Sequence, residues 1–225
     1  QQTRVDAVIP YFNKFMQRFP RLQDLAAAPE DEVLSYWQGL GYYSRVRNLQ
    51  QGVREVVASY GGQVPDSPQD VRKLPGVGDY TAGAILSIAH NKPEPAVDGN
   101  VLRVISRLQR IEEPVEQSRT RKQIEQIVRD MMEQTERYGD FTQALMELGA
   151  RVCTPRSPRC GACPWQADCI AVRDQVQAEL PKKKAAEPPR QVQVHTGILV
   201  ADQRVLAVQR PKTGLLAGMW QFPSV

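Results

Sequence analysis

Leu74-Pro75-Gly76-Val77-Gly78-Asp79-Tyr80-Thr81-Ala82 decides the reading of this chain. It joins two stretches whose apolar residues recur at helical spacing. Its two glycines permit a tight turn with φ > 0 and leave backbone N–H groups bare. The helix that starts after Gly78 turns its positive end toward that turn. Gly76 and Gly78 are therefore a candidate phosphate site, one that carries no base information. A Gly-x-Gly alone is also what a plain interhelical turn looks like. Further along comes Val97-Asp98-Gly99-Asn100-Val101. Asp98 stands where a helix N-cap belongs. A carboxylate is also what an oxocarbenium-like transition state needs in a water-poor site. Asn100 is placed to orient Asp98 or a sugar.

Outward from this centre the first two-thirds of the chain read as helices. Val5, Val8, Ile9, Phe12, Phe15, Met16 and Phe19 form one stripe, which Pro10 is expected to kink or delay. Val33, Leu34, Trp37 and Leu40 form a second, and Val46, Leu49, Val53, Val56 and Tyr60 a third. Ser67-Pro68-Gln69-Asp70 has the form of a helix start. Residues 80–89, 101–108, 124–132 and 141–152 supply further helices, the last with Asp140 and Gln143 as its cap. After Cys169 the character changes. The charged, proline-rich stretch 180–189 reads as a linker. Beyond it, 197–200 and 205–208 alternate as a hairpin does.

The chain has 225 residues, 41% of them hydrophobic, enough for a sizeable core and two domains. A net charge of +4 permits a polyanionic partner without demanding one. No apolar run is long enough to span a bilayer, and Gln1-Gln2-Thr3-Arg4 does not resemble a signal peptide. An intracellular setting is expected, most simply a bacterial cytoplasm. His90 and His195 stand alone, so no Ser–His–Asp hydrolase pattern arises.

All four cysteines fall in one short segment: Cys153, Cys160, Cys163 and Cys169. In a reducing compartment such a cluster is a metal site before it is a set of disulfides. Zinc prefers two Cys-x-x-Cys knuckles, and only Cys160 and Cys163 make one. That favours an iron–sulfur cubane, in which each thiolate holds one iron. Spacing alone leaves zinc as the alternative.

The Cys-x6-Cys-x2-Cys-x5-Cys spacing, with Arg151, Arg156 and Arg159 around it, resembles the [4Fe-4S] loop of the endonuclease III and MutY glycosylases. That resemblance implies a structural cluster whose loop lies against DNA phosphates. The glycine turn and Asp98 together resemble the helix–hairpin–helix plus Asp module of base-excision glycosylases. The implied fold is mainly α: a helix–hairpin–helix DNA glycosylase with a six-helix barrel and a [4Fe-4S] cluster domain, followed by the beginning of a MutT-like α/β domain. Asp98 would sit at the mouth of a flipped-base pocket and stabilise positive charge on the deoxyribose.

Members of this superfamily that also cut the strand carry a Lys two residues past the second hairpin glycine. Its amine forms a Schiff base. Tyr80 occupies that position and cannot form one, which implies a monofunctional enzyme with Tyr80, Asp98 and Asn100 in the catalytic pocket. Gln1-Gln2-Thr3-Arg4-Val5 and Gly39-Leu40-Gly41-Tyr42-Tyr43-Ser44-Arg45 resemble the MutY segments beside 8-oxoguanine. By position, Gln2 and Tyr42 would intercalate near the lesion, and Thr3 and Leu40 would contact it. Taken singly, Tyr42 and Tyr43 also suit ordinary half-buried packing. Residues 205–211 and 214–223 resemble the opening of the MutT-like domain of the MutY family, without an acidic pyrophosphatase box.

The resemblance thus implies removal of adenine mispaired with 8-oxoguanine or guanine in double-stranded DNA, by a monomer at the bacterial nucleoid with a [4Fe-4S] cluster. The alternatives are an endonuclease III-like glycosylase/lyase for oxidised pyrimidines and a non-catalytic, metal-stabilised DNA-binding module. The expected domains are 1–111, the helix–hairpin–helix barrel with its opening helix truncated; 112–175, the cluster domain; 176–192, a linker; and 193–225, an incomplete MutT-like start. The family's general-acid glutamate would lie upstream of Gln1. This chain would then bind DNA and cleave little.

Overall fold

The apolar stripes predict amphipathic helices, and a computed structural model carries them as such. It describes residues 5–184, 188–189, 191–211, 214 and 216–225. The chain divides into two compact units, one of residues 1–54 with 186–225 and one of residues 55–185.

In the first unit, α1 (Val5–Arg18), α2 (Leu22–Ala27), α3 (Glu30–Trp37) and the first part of α4 (Tyr43–Ser59) gather around Phe19, Leu25, Ala28, Val33, Val46 and Val53. Gln50 is buried in this core. Its amide donates to the carbonyls of Leu25 at 3.0 Å and Ala28 at 2.8 Å, satisfying the end of α2. Pro10 does not break α1. It lies on the exposed face, where the carbonyl it leaves unbonded meets water. The carboxyl-terminal residues add four short strands. β1 (Val200–Ala201) and β2 (Arg204–Val205) pair antiparallel in the hairpin read from the sequence. Asp202 and Gln203 turn it with φ of 48° and 58°, the left-handed pair of a type I′ turn. β3 (Val208–Gln209) pairs with β4 (Trp220–Gln221). Within the same unit Arg47 reaches the Ala217 carbonyl at 2.8 Å and Glu30 at 2.9 Å.

In the second unit, α5 (Pro68–Lys73) starts at Ser67, whose hydroxyl accepts from the Asp70 N–H as a cap should. Then α6 (Asp79–Ala84) runs on through a π-type turn, Ile85–Ala89. The centre of the unit is α7 (Gly99–Leu108), buried along almost its whole length. Around it pack α8 (Ser118–Met132) and α9 (Tyr138–Glu147), with Ile124, Val128, Met132 and Leu145 in the shared core. A second π-type turn, Leu148–Val152, follows α9. A 3₁₀ turn, Cys160–Ala162, and α10 (Ile170–Arg173) complete the cysteine segment. The α9 start differs from the Asp140 cap expected. The helix begins three residues earlier, and the Asp140 carboxylate instead takes the Arg137 guanidinium at 2.7 Å. Residues after α10 are fastened to this unit through Lys184. The Leu180 carbonyl accepts from Arg107, and the Lys182 carbonyl accepts from the Val115 N–H at 3.1 Å. Among the described residues no helix is long and apolar enough to cross a membrane.

Candidate active site and metal centre

The glycine turn forms between α5 and α6. Gly76 has φ of +76°, which a side chain would strain. Gly78 is not left-handed as its pair. It is extended, with φ of −92°, and stands as the N-cap of α6 with no side chain over the helix end. Both glycines are exposed, and Tyr80 is half-buried in the first turn of α6. The turn is linked to Asp98 by close backbone packing. A Cβ on Gly83, in α6, would lie 2.0 Å from the Pro95 carbonyl oxygen and 3.0 Å from the Ala96 Cα. Only glycine lets the helix after the hairpin meet the strand of chain that delivers Asp98.

Asp98 caps α7, as its position predicts. Its Oδ1 accepts from the backbone N–H of Asn100 at 2.8 Å and of Val101 at 2.9 Å. Its Oδ2 accepts from the Asn100 side-chain amide at 3.0 Å. The residue is half-buried, and these three hydrogen bonds fix the rotamer of its carboxylate. Asn100 is itself held, because its Oδ1 accepts from Arg103 at 2.9 Å. The placing of Asn100 as a residue that orients Asp98 is thus matched by a direct hydrogen bond.

Two residues that sequence reasoning missed are Arg103 and Arg107. They are 7% and 2% exposed, on an otherwise apolar helix. Arg103 donates to the carbonyls of Gly149 and Cys153, both at 2.8 Å. Burial lowers its pKa from the ordinary arginine value. Arg107 donates to the carbonyls of Leu180, Thr154 and Pro155, and its Nη1 lies 3.4 Å from the Cys153 sulfur. The signal was present in Val101-Leu102-Arg103-Val104-Ile105-Ser106-Arg107-Leu108. Two arginines four apart in a helix that is apolar on every other side are either misfits or anchors.

The four cysteines are free, half-buried and line one cavity, together with Arg107, Trp165 and Gln177. Burial pushes the Cys160 and Cys163 thiols up, and the neighbouring cysteines add to the effect. The Trp165 backbone N–H, which donates to Cys163, opposes it. Metal coordination would deprotonate such thiols outright. Among the described residues no three His, Cys, Asp or Glu side chains are arranged to hold a single metal ion. All four cysteines line that one cavity. A cubane, in which each thiolate meets its own iron, fits that donor set better than one zinc ion at about 2.3 Å from every sulfur. Trp165 also lines an open surface groove with Arg151 and Arg159.

In the first unit, Leu40 and Tyr42 line an apolar groove of about 440 Å³ with Phe12 and Trp37. Gly39, Gly41 and Tyr42 all have positive φ, and the Gly41 carbonyl accepts from the Trp37 indole at 2.9 Å. Tyr42 is 65% exposed, which ordinary half-buried packing does not explain. Gln2 and Thr3 lie outside the described residues.

The HhH-GPD superfamily base excision DNA repair protein family matches residues 1–130. The chain belongs to the HhH-GPD superfamily. The iron–sulfur binding domain of endonuclease III matches residues 153–169, from the first cysteine to the last, and the four thiolates there are those of a [4Fe-4S] centre. The adenine DNA glycosylases of mouse and human are similar to the whole chain at 40% and 39% identity, over 52% and 50% of their own lengths. That of Arabidopsis thaliana is 37% identical over the whole chain and 41% of its own length. The chain thus spans about half the length of the curated relatives it matches. Among solved structures, a thermostable thymine-DNA glycosylase is similar with a TM-score of 0.66 at 26% identity, covering 77% of this chain and 80% of that one. A trapped endonuclease III–DNA covalent intermediate gives 0.64 at 25% identity, with the same coverage. The expected helical HhH-GPD fold and the iron–sulfur centre both hold.

Proposed function

We propose that this chain is the catalytic part of a monofunctional DNA glycosylase that removes adenine mispaired with 8-oxoguanine or guanine from double-stranded DNA. The observation that carries the reading is the fixed carboxylate of Asp98 at the end of α7. Three N–H donors hold it, and the residue is half-buried. As the glycosidic bond breaks, positive charge develops on the deoxyribose. A preoriented carboxylate stabilises that charge without reorganising. Asn100 keeps it aimed. Gly76 and Gly78 take a phosphate of the same strand on bare N–H groups. Leu40 and Tyr42, with Gln2 and Thr3, are assigned to the lesion face, where an exposed aromatic opens the stack beside the orphaned base. Tyr80 fills the pocket where a lyase would need an amine. In this reading the base leaves protonated by the upstream glutamate that the resemblance implies. The iron–sulfur centre supplies structure rather than chemistry.

The reading extends to the domains. Residues 1–111 form the barrel part, 112–175 the cluster domain, 176–192 a connector and 193–225 the start of a MutT-like domain that reads 8-oxoguanine. It acts as a monomer, at the nucleoid of a bacterial cytoplasm. The adenine specificity rests on relatives named as adenine DNA glycosylases.

The test uses duplexes carrying adenine opposite 8-oxoguanine, opposite guanine and opposite thymine, and one carrying an oxidised pyrimidine. Binding is titrated, excision is read after alkali, and borohydride is added to trap any imine. We expect tightest binding to the 8-oxoguanine duplex, little strand scission after alkali by this chain, and no trapped adduct. A borohydride adduct on the oxidised pyrimidine duplex would replace the proposal with the lyase reading. Rapid excision by this chain would move the acid inside it.

A further inference from the structure

Gln177 is the polar group that the cysteine cavity leaves without a partner. Its Oε1 is buried and accepts no hydrogen bond. Its side chain lines the same cavity as all four cysteine sulfurs. A buried carbonyl oxygen without a donor is unfavourable anywhere. Facing an anionic four-thiolate cluster it would be worse, since negative ends would meet. The other end of the amide is a donor, and a half-turn about its last torsion exchanges Oε1 and Nε2 within one outline. The buried Oε1 position then carries an N–H.

The backbone around Gln177 is fixed close to a cluster ligand. Val176 N–H donates to the Ala171 carbonyl at 2.9 Å, closing the turn after α10, which begins directly after Cys169. Glu179 N–H donates to Val176, and the Leu180 carbonyl accepts from Arg107. The cavity already holds donors to sulfur, among them Arg107 toward Cys153 and the Trp165 N–H toward Cys163. We propose that Gln177 donates its side-chain N–H to a sulfur of the iron–sulfur cluster and so acts as a positioning residue that raises the cluster's reduction potential. Hydrogen bonds to cluster sulfurs draw off negative charge and favour the reduced state.

The experiment measures the reduction potential of the iron-loaded chain by film voltammetry, with iron content and visible circular dichroism alongside. Gln177→Met keeps the length and removes the donor, and its potential is expected to fall. Gln177→Lys returns a donor, and its potential is expected at or above that of the unsubstituted chain. Gln177→Leu removes the donor and adds no charge. It decides the matter should the Met variant lose iron, and its potential is expected to fall as well. An unchanged potential in an iron-replete Met or Leu variant overturns the proposal, because a gap-filling residue would leave the potential where it was.

Discussion

Asp98 does two things with one carboxylate, and substitution can separate them. As a cap it satisfies the N–H groups of Asn100 and Val101, and as a charge it is proposed to stabilise the developing cation. Asparagine caps a helix nearly as well as aspartate, whereas alanine does not. Asp98→Asn should therefore leave the melting temperature close to that of the unsubstituted protein while single-turnover excision, measured in a longer chain that carries the proposed general-acid glutamate, falls about 10²- to 10³-fold, the scale of one preorganised electrostatic group. Asp98→Ala should lose excision and also about 1 kcal/mol of stability. Equal stability losses in the two variants would mean that capping is the whole role. Tyr80 offers the converse test. Tyr80→Lys places an amine in the first turn of α6, and borohydride should then trap a covalent complex with DNA where the unsubstituted chain gives none. Asp98 could be singled out from local sequence as a helix cap and the cysteines as a metal site, whereas Tyr80 and Asn100 were picked out by the family resemblance. Arg103 and Arg107 stood out only as two charges in an apolar stretch; what they hold could not be read, because their partners are carbonyls of Gly149, Cys153, Thr154, Pro155 and Leu180, far along the chain. Replacing Arg103 with Leu should cost about 1–3 kcal/mol for each buried acceptor left unpaired, read by denaturant titration.

At the scale of elements, glycines set how closely α6 and α7 are approached. Gly83 admits the Pro95 carbonyl, and Gly149, in the π-type turn after α9, admits α7. A Cβ on Gly149 would lie 2.7 Å from the Asn100 Cβ. Neither residue has an unusual backbone, so conformational freedom is not their purpose. Gly83→Ala should destabilise the protein by about 1–3 kcal/mol, the usual cost of overpacking, because a backbone carbonyl cannot swing aside. Gly149→Ala should cost a similar amount and disturb excision too, since Asn100 is what it strikes. The check is a pair of melting curves with single-turnover rates. A Gly83→Ala protein as stable as the unsubstituted one would mean that the helices part at no cost. Most helices were legible from apolar period and caps, as at Ser67. The departures have local causes. α1 passes through Pro10 because the face concerned is wet, and α9 starts early because Asp140 prefers Arg137 to its own helix end. Gly83 and Gly149 carried no signal of their own, since a close approach is a property of two elements and a sequence shows one at a time.

At the scale of the whole molecule, ion pairs and thiolates together set the response to acid. Asp24, Asp66, Asp70, Glu116 and Asp174 have pKa values below the ordinary carboxylate range. The cause that leads is a hydrogen bond in each case: from Arg21, Lys92, Lys73 and Arg173 to the four aspartates, and from the Lys184 backbone to Glu116. A carboxylate whose folded pKa is depressed binds its proton more readily when unfolded. Its contribution is complete above the unfolded value, near 4, and is lost as pH falls through the folded value. The melting temperature should therefore be level from about pH 8 to 5 and decline below about pH 4. These pairs are exposed, so each contributes little and salt should weaken them. Four of the five belong to the unit of residues 55–185, which also holds the cysteines. Thiolates reprotonate in acid and release their metal, which pushes in the same direction. Visible absorbance near the cluster band and far-ultraviolet circular dichroism separate the two. With ion pairs in control, added salt at neutral pH lowers the melting temperature while the visible band stays. With the cluster in control, the visible band fades first on acidification, and salt at neutral pH has no effect. A melting temperature that rises as pH drops from 5 to 3 would contradict both, because every shifted carboxylate among the described residues is displaced the other way.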